Sequence, residues 1–128
     1  MQQRGFTVIE LLVVIVLFSA TTAVAFFQFN NFQQMNRDDT RRTAINAMYY
    51  NLEDIFYKTN AYYPDEVTEK NLTSMDKALF TDPNGQTIGS GQSDYKYEPT
   101  NCEAGKCKNY TLRADLEKEA DFVKSSDR

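Results

Sequence analysis

The strongest constraint on this chain is an apolar stretch near its N-terminus. Between residues 6 and 29 the only ionisable side chain is Glu10. Residues 11–18 are Leu, Leu, Val, Val, Ile, Val, Leu and Phe without interruption. Ser19, Thr21 and Thr22 follow, and short hydroxyl side chains can return hydrogen bonds to their own helix. The apolar run then continues to Phe27. A bilayer core takes about 20 such residues as helix, so the segment is long enough to span. The remainder of the 128-residue chain is polar and mildly acidic, with 14 Lys+Arg against 18 Asp+Glu. That length suits one ordinary domain. A greasy end on a hydrophilic body describes an anchored soluble domain, and the charge balance gives no basic nucleic-acid footprint.

The chain contains no His and no Trp. Without His, the commonest general acid/base near neutral pH is missing, and Ser-His and Cys-His nucleophile pairs are excluded. Two Cys cannot complete a four-Cys zinc site. These absences argue against an enzyme, and no cofactor is implied.

Glu10 decides among three readings of the apolar segment. A secretory signal has a shorter apolar core and a small-x-small cut site, which Ala23-Val24-Ala25 would supply. Glu10 nevertheless stands where that core should begin. A plain anchor fits the length but gives Glu10 no role, although an acid in a membrane helix is costly and ordinarily has a partner. The third reading rests on Gly5-Phe6-Thr7-Val8-Ile9-Glu10 behind Met1-Gln2-Gln3-Arg4. This string resembles the leader-cleavage signal of type IV pilins and type II secretion pseudopilins. The resemblance implies a basic leader over residues 1–5, cut after Gly5 by the prepilin peptidase. Phe6 becomes the N-methylated first residue, and Glu10 is the family's acid. A carboxylate buried among packed helices must find a cation, and the implied one is the Phe6 amine of a neighbouring subunit. Family members commonly carry a Pro in this helix, which lets it melt in the filament. Here no Pro precedes Pro64 and no Gly lies between Phe6 and Asn60, so residues 28–31, weaker helix formers, are the place where it would loosen.

Beyond the apolar segment the pattern becomes amphipathic. Ile45, Met48, Tyr49, Leu52, Ile55 and Phe56 share one helical face, with Asn46, Asn51, Glu53 and Asp54 mostly on the other. Asp38 with Arg42, and Asp54 with Lys58, form i,i+4 pairs. Arg41 and Arg42 read either as bridges between subunits or as a solvated face. The helix is expected to run from about Phe6 to about Thr59, capped near Asn60 and stopped by Pro64. The segment Asn60-Ala61-Tyr62-Tyr63-Pro64 resembles the string that closes the long helix in pilins and pseudopilins.

A connection follows over residues 65–94, with a short helix at 73–80 capped by Thr73 or Ser74. Met75, Leu79 and Phe80 are expected to face inward. Asp82-Pro83-Asn84-Gly85 is a turn signal. Asp82, Asn84 and Gln86 also place oxygens at alternate positions, as a calcium loop does. No bidentate Glu stands at the right distance, so Asp82 and Asn84 are calcium candidates that rank below an ordinary turn, and no metal is assigned. The period then changes to two. Tyr95 and Tyr97 alternate with Lys96 and Glu98, and Tyr110, Leu112, Ala114 and Leu116 with Thr111, Arg113, Asp115 and Glu117. Residues 120–124 add a short edge strand. Cys102 and Cys107 flank a turn-like tetrapeptide, and a disulfide between adjacent strand ends is preferred over two free thiols. It would place this part of the chain in an oxidising compartment.

The fold class expected is α+β: a long N-terminal helix packed on a small antiparallel sheet. The domains expected are a leader at 1–5, a transmembrane or filament-core helix at 6–29, and a globular head at 30–128. The function implied by the resemblance is a structural subunit of a type IV pilus-like filament. Its partners would be copies of itself, the prepilin peptidase, the pilus assembly machinery and the membrane. It would begin as a single-pass precursor in the cytoplasmic membrane and end in an extracellular filament serving adhesion, twitching motility or DNA uptake. A type II secretion pseudopilin and a tethered, non-polymerising binding module are the alternatives.

Overall fold

The computed structural model describes residues 5–128. The chain is α+β: one long N-terminal helix and a small antiparallel four-stranded sheet. The first helix, α1, spans Val8–Tyr50. A π-helical segment, Asn51–Tyr57, and a last α-turn, Lys58–Asn60, continue it. The strands are β1 (Tyr63–Pro64), β2 (Tyr95–Glu103), β3 (Lys106–Ala114) and β4 (Phe122–Ser125). Chain contacts divide the protein into two compact units, one ending at Gln34 and the other spanning Met35–Arg128.

In the N-terminal unit the helix is apolar on every side. Leu11, Leu12, Val13, Val14, Ile15, Val16, Leu17 and Phe18 are all exposed. None of its most apolar window is buried within the chain. A helix of that kind belongs in lipid or among other helices. Its hydroxyls are satisfied internally: Ser19 Oγ donates to the Ile15 carbonyl at 2.6 Å, and Thr22 Oγ1 to that of Phe18 at 2.8 Å. No backbone or hydroxyl donor in this stretch therefore asks for water. Residues 28–31 are α-helical in the chain on its own. Without Pro or Gly, the backbone hydrogen bonds run through.

In the second unit, hereafter the head, Ala44, Ile45, Met48 and Leu52 pack against Tyr95, Tyr110, Leu112 and Ala114 of the sheet. Tyr63, Val67, Leu72, Met75, Phe80 and Ile88 close the core from the connecting segments. β3 is the central strand. β2 pairs along it from Tyr95↔Ala114 to Glu103↔Lys106. On its other side β1 pairs with the first residues of β3 and β4 with the last. The β2–β3 turn holds Ala104 at φ 50° and Gly105 at φ 76°, the two positive values that a tight two-residue hairpin requires. Cys102 and Cys107 stand directly opposite each other beside that turn and are joined by a disulfide.

Several expectations need correction. The helix begins at Val8 rather than Phe6, and its left-handed terminal residue is Ala61, at φ 61°, not Asn60. The amphipathic stripe departs from expectation at Glu53 and Ile55, while Phe56 still packs against the core. Ile55 is 46% exposed, whereas Glu53, expected on the solvent face, is 5% exposed. The π-helical segment is the reason: bonding i to i+5 widens the turn, so side chains advance more slowly round the axis than a 3.6-residue period assumes. The short helix of the connection is a 3-10 turn, Lys77–Phe80, and its cap is Asp76, whose carboxylate accepts from the Ala78 amide at 3.0 Å. Leu116 lies beyond the end of β3. Arg41 does not lie on a solvated face, whereas Arg42 is partly exposed and forms an ion pair at the surface. Arg41 is 2% exposed and bound within the head, and Arg42 pairs with Glu119 rather than with Asp38.

Candidate functional site

The N-terminal site is a capped helix start. Thr7 precedes the first helical residue, Val8, and Glu10 is the third. Thr7 Oγ1 accepts from the Glu10 amide at 3.3 Å, and Glu10 Oε2 accepts from the Thr7 amide at 3.2 Å. Thr7 Oγ1 also donates to Oε2 at 3.1 Å. This is a reciprocal capping box: two amides that lack intrahelical partners are satisfied by two side chains. The Thr-x-x-Glu spacing is visible in the sequence, yet the reading above assigned Glu10 only an intermolecular role. Among the described residues Glu10 Oε1 accepts no hydrogen bond, so one carboxylate oxygen is used locally and one is spare. Gly5 and Phe6 lie immediately before the cap and are exposed. Met1, Gln2, Gln3 and Arg4 lie outside the described residues.

Two further polar clusters hold the head together, and neither was legible as such. The first centres on Arg41. Its Nη1 donates to Asp38 Oδ1 at 2.9 Å and to Glu117 Oε1 at 3.0 Å, and its Nη2 to Asp94 Oδ2 at 2.7 Å. Asp38 in turn accepts from the backbone amides of Glu117 and Lys118. Helix, sheet entry and the segment after β3 are thereby tied at one point. Arg37 adds a two-pronged contact to Glu117 at 2.6 and 2.7 Å. That hydrogen bond from Arg37, with a smaller one from Arg41, outweighs partial burial and holds the Glu117 carboxyl at about 2.

Glu117 therefore carries a pH signature. Its folded-state value lies below the ordinary carboxylate range near 4.3. The stabilisation is complete above that range and is lost as pH falls from about 5 toward 2. Thermal melts across that interval should show falling stability, and Glu117→Gln should flatten the slope. An unchanged slope in the variant would remove Glu117 from the account.

The second cluster surrounds Glu53. Tyr63 and Tyr110 both donate their hydroxyls to its carboxylate at 2.9 Å. Burial first, and the hydrogen bond to Glu53 second, push both tyrosines far above their ordinary range. The π-helical segment is what delivers Glu53 to these rings.

Asp82, a calcium candidate, is 4% exposed. Its Oδ1 accepts from the Asn84 and Gln86 amides, each at 2.9 Å, and its Oδ2 from the Asp94 amide at 2.8 Å. Asn84 donates its side-chain amide to Asp94 at 2.8 Å. The carboxylate is thus engaged by its own loop. The described residues contain no group of three or more acidic, His or Cys side chains arranged to hold a metal ion.

These observations define a class: an α+β chain whose apolar helix begins at a Thr-x-x-Glu cap directly after Gly-Phe. Residues 1–26 match the family model described as the prokaryotic N-terminal methylation motif. That motif is the signal of type IV pilins and pseudopilins. No curated protein matches the chain, and no solved structure does. The motif and the apolar helix fit a membrane-anchored precursor of a pilin-like or pseudopilin protein, and a motif of this type suggests a structural role.

Proposed function

We propose that this chain is the structural subunit of a type IV pilus-like filament. The observation that carries the reading is Glu10, an acid within a methylation motif and the one ionisable side chain between residues 6 and 29. In this reading residues 1–5 are a leader, the peptidase cuts between Gly5 and Phe6, and residues 6–29 form the filament core. Residues 30–128 form the head, which travels from the cytoplasmic membrane to the cell surface. The α-amine of Phe6, created by cleavage and N-methylated, pairs with Glu10 of a neighbouring copy. The spare Oε1 suits that contact, because Oε2 is already engaged by Thr7. Assembly then depends on processing, since the uncleaved precursor lacks the amine. The test is the sheared surface fraction of cells: wild-type chain should appear there as filaments, and Glu10→Ala should remain in the membrane.

The second reading is a type II secretion pseudopilin. It is favoured by the segment Asn60-Ala61-Tyr62-Tyr63-Pro64, which ends the helix and enters β1. Filaments seen only when a secretion apparatus is overproduced would favour it.

A further inference from the structure

The chain holds two tripeptides of the form Asn-x-Ser/Thr with x not Pro: Asn71-Leu72-Thr73 and Asn109-Tyr110-Thr111. That form is the acceptor for N-linked saccharide transfer. It pairs a side-chain amide with a hydroxyl two residues on, which gives a transferase a second hydrogen-bonding point. The enzyme draws the tripeptide into its own groove, so an acceptor belongs on a surface connection rather than in a sheet. The structure separates the two sites on that ground. Asn109 and Thr111 lie inside the central strand β3, opposite Thr100 and Glu98 of β2. Tyr110 between them is 2% exposed. The Asn109 side-chain amide donates to Ser126 Oγ at 3.4 Å and to the Arg128 carbonyl. Presenting this tripeptide would unzip the sheet.

Asn71 lies in the connection between β1 and β2, on a turn closed by the Asn71 and Leu72 amides, which both donate to the Thr68 carbonyl at 3.1 Å. Leu72 anchors the turn in the core, while Glu69, Lys70 and Thr73 are exposed and Asn71 is half-buried. Glu69, two residues before Asn71, adds an anionic handle to the same turn. Asn71 Nδ2 donates to the Glu66 carbonyl at 2.8 Å. A side-chain amide nitrogen carries two hydrogens, so that bond uses one and leaves the other to be replaced. We propose that Asn71 is an acceptor site for an N-linked saccharide. The donor class is a saccharide joined through its C1 to a polyprenyl pyrophosphate. The Nδ2–C1 bond forms as the C1–O bond breaks. The lipid pyrophosphate leaves with the bonding electrons, one Nδ2 proton passes to a base of the enzyme, and nothing is oxidised or reduced. The inference rests on the exported head of the proposed function, because the head must meet the transferase across the membrane.

The experiment is peptide mass mapping, without reduction, of the full chain made in a bacterial host. The host carries a prokaryotic oligosaccharyltransferase, its lipid-linked donor and an exported control protein with an Asn-x-Thr acceptor. The Asn71 peptide should gain the mass of the donor saccharide and the Asn109 peptide should not. Thr73→Val should lose the glycan with an unchanged melting temperature, and Thr111→Val should keep it. The proposal is overturned if the Asn71 peptide stays bare while the control is glycosylated and Cys102 and Cys107 are linked. Equal occupancy at Asn109, or wild-type occupancy in Thr73→Val, also overturns it. Free Cys102 and Cys107 thiols would overturn it through its premise, because the head would not have been exported.

Discussion

Arg41→Ala is expected to lower the unfolding free energy of the head by about 3–5 kcal/mol, the range seen when one partner of a buried ion pair is removed. The Arg41 side chain is 3% exposed, and that of its partner Asp38 6%. Without the guanidinium, Asp38, Asp94 and Glu117 are left as three carboxylates around one vacant position. Two of them retain some solvent, at 21% and 28%, which limits the loss. Against a typical domain stability of about 5–15 kcal/mol, such a change removes much of the margin. Arg41→Lys should fall between, because an ammonium keeps the charge but cannot reproduce the planar fork. The neighbouring Arg42 is the control. It pairs with Glu119, whose side chain is 65% exposed, so Arg42→Ala should cost no more than about 1 kcal/mol. Urea unfolding followed by far-ultraviolet dichroism separates the two. Equal midpoints for both variants would show that the cluster is not what ties helix to sheet.

Glu10 carries the second large effect, and its two roles separate by substitution. Glu10→Ala removes both the capping-box acceptor and the charge. Glu10→Gln keeps an N3 residue that can still complete a capping box but carries no charge to meet an amine. Losing a cap costs about 0.5–2 kcal/mol, too little to abolish a helix continued by forty apolar and amphipathic residues of α1. If the inter-subunit charge pair drives assembly, both variants should fail, with surface filaments falling by at least about a hundredfold, as expected when a buried charge loses its partner. Restoration by Gln but not Ala would assign the residue to helix capping alone. Thr7→Ala completes the set: it disrupts the cap, leaves the charge, and should assemble with a modest deficit.

Local pattern explains what the sequence disclosed. The apolar helix, the alternation along β3 and the hairpin between Cys102 and Cys107 depend on neighbours within a few positions. So does the capping box, which was overlooked although its spacing is plain. The Arg41 cluster was illegible because its partners Asp94 and Glu117 lie 53 and 76 residues away. Glu53 misled for a different reason. It is a charged residue at a position that helical periodicity places outside, and only the widened turn at Asn51–Tyr57 brings it under Tyr63 and Tyr110. No residue type in that segment announces a π-helix. Asp82 was legible as a turn residue, but its buried bonds to Asp94 and Ser93 depend on the path of the loop between them.

The mass of the N-terminal peptide from chain made in cells with a prepilin peptidase tests the central claim most directly. The account predicts a chain that starts at Phe6 and carries one N-methyl group. An intact Met1, or a chain beginning after Ala25, would contradict it.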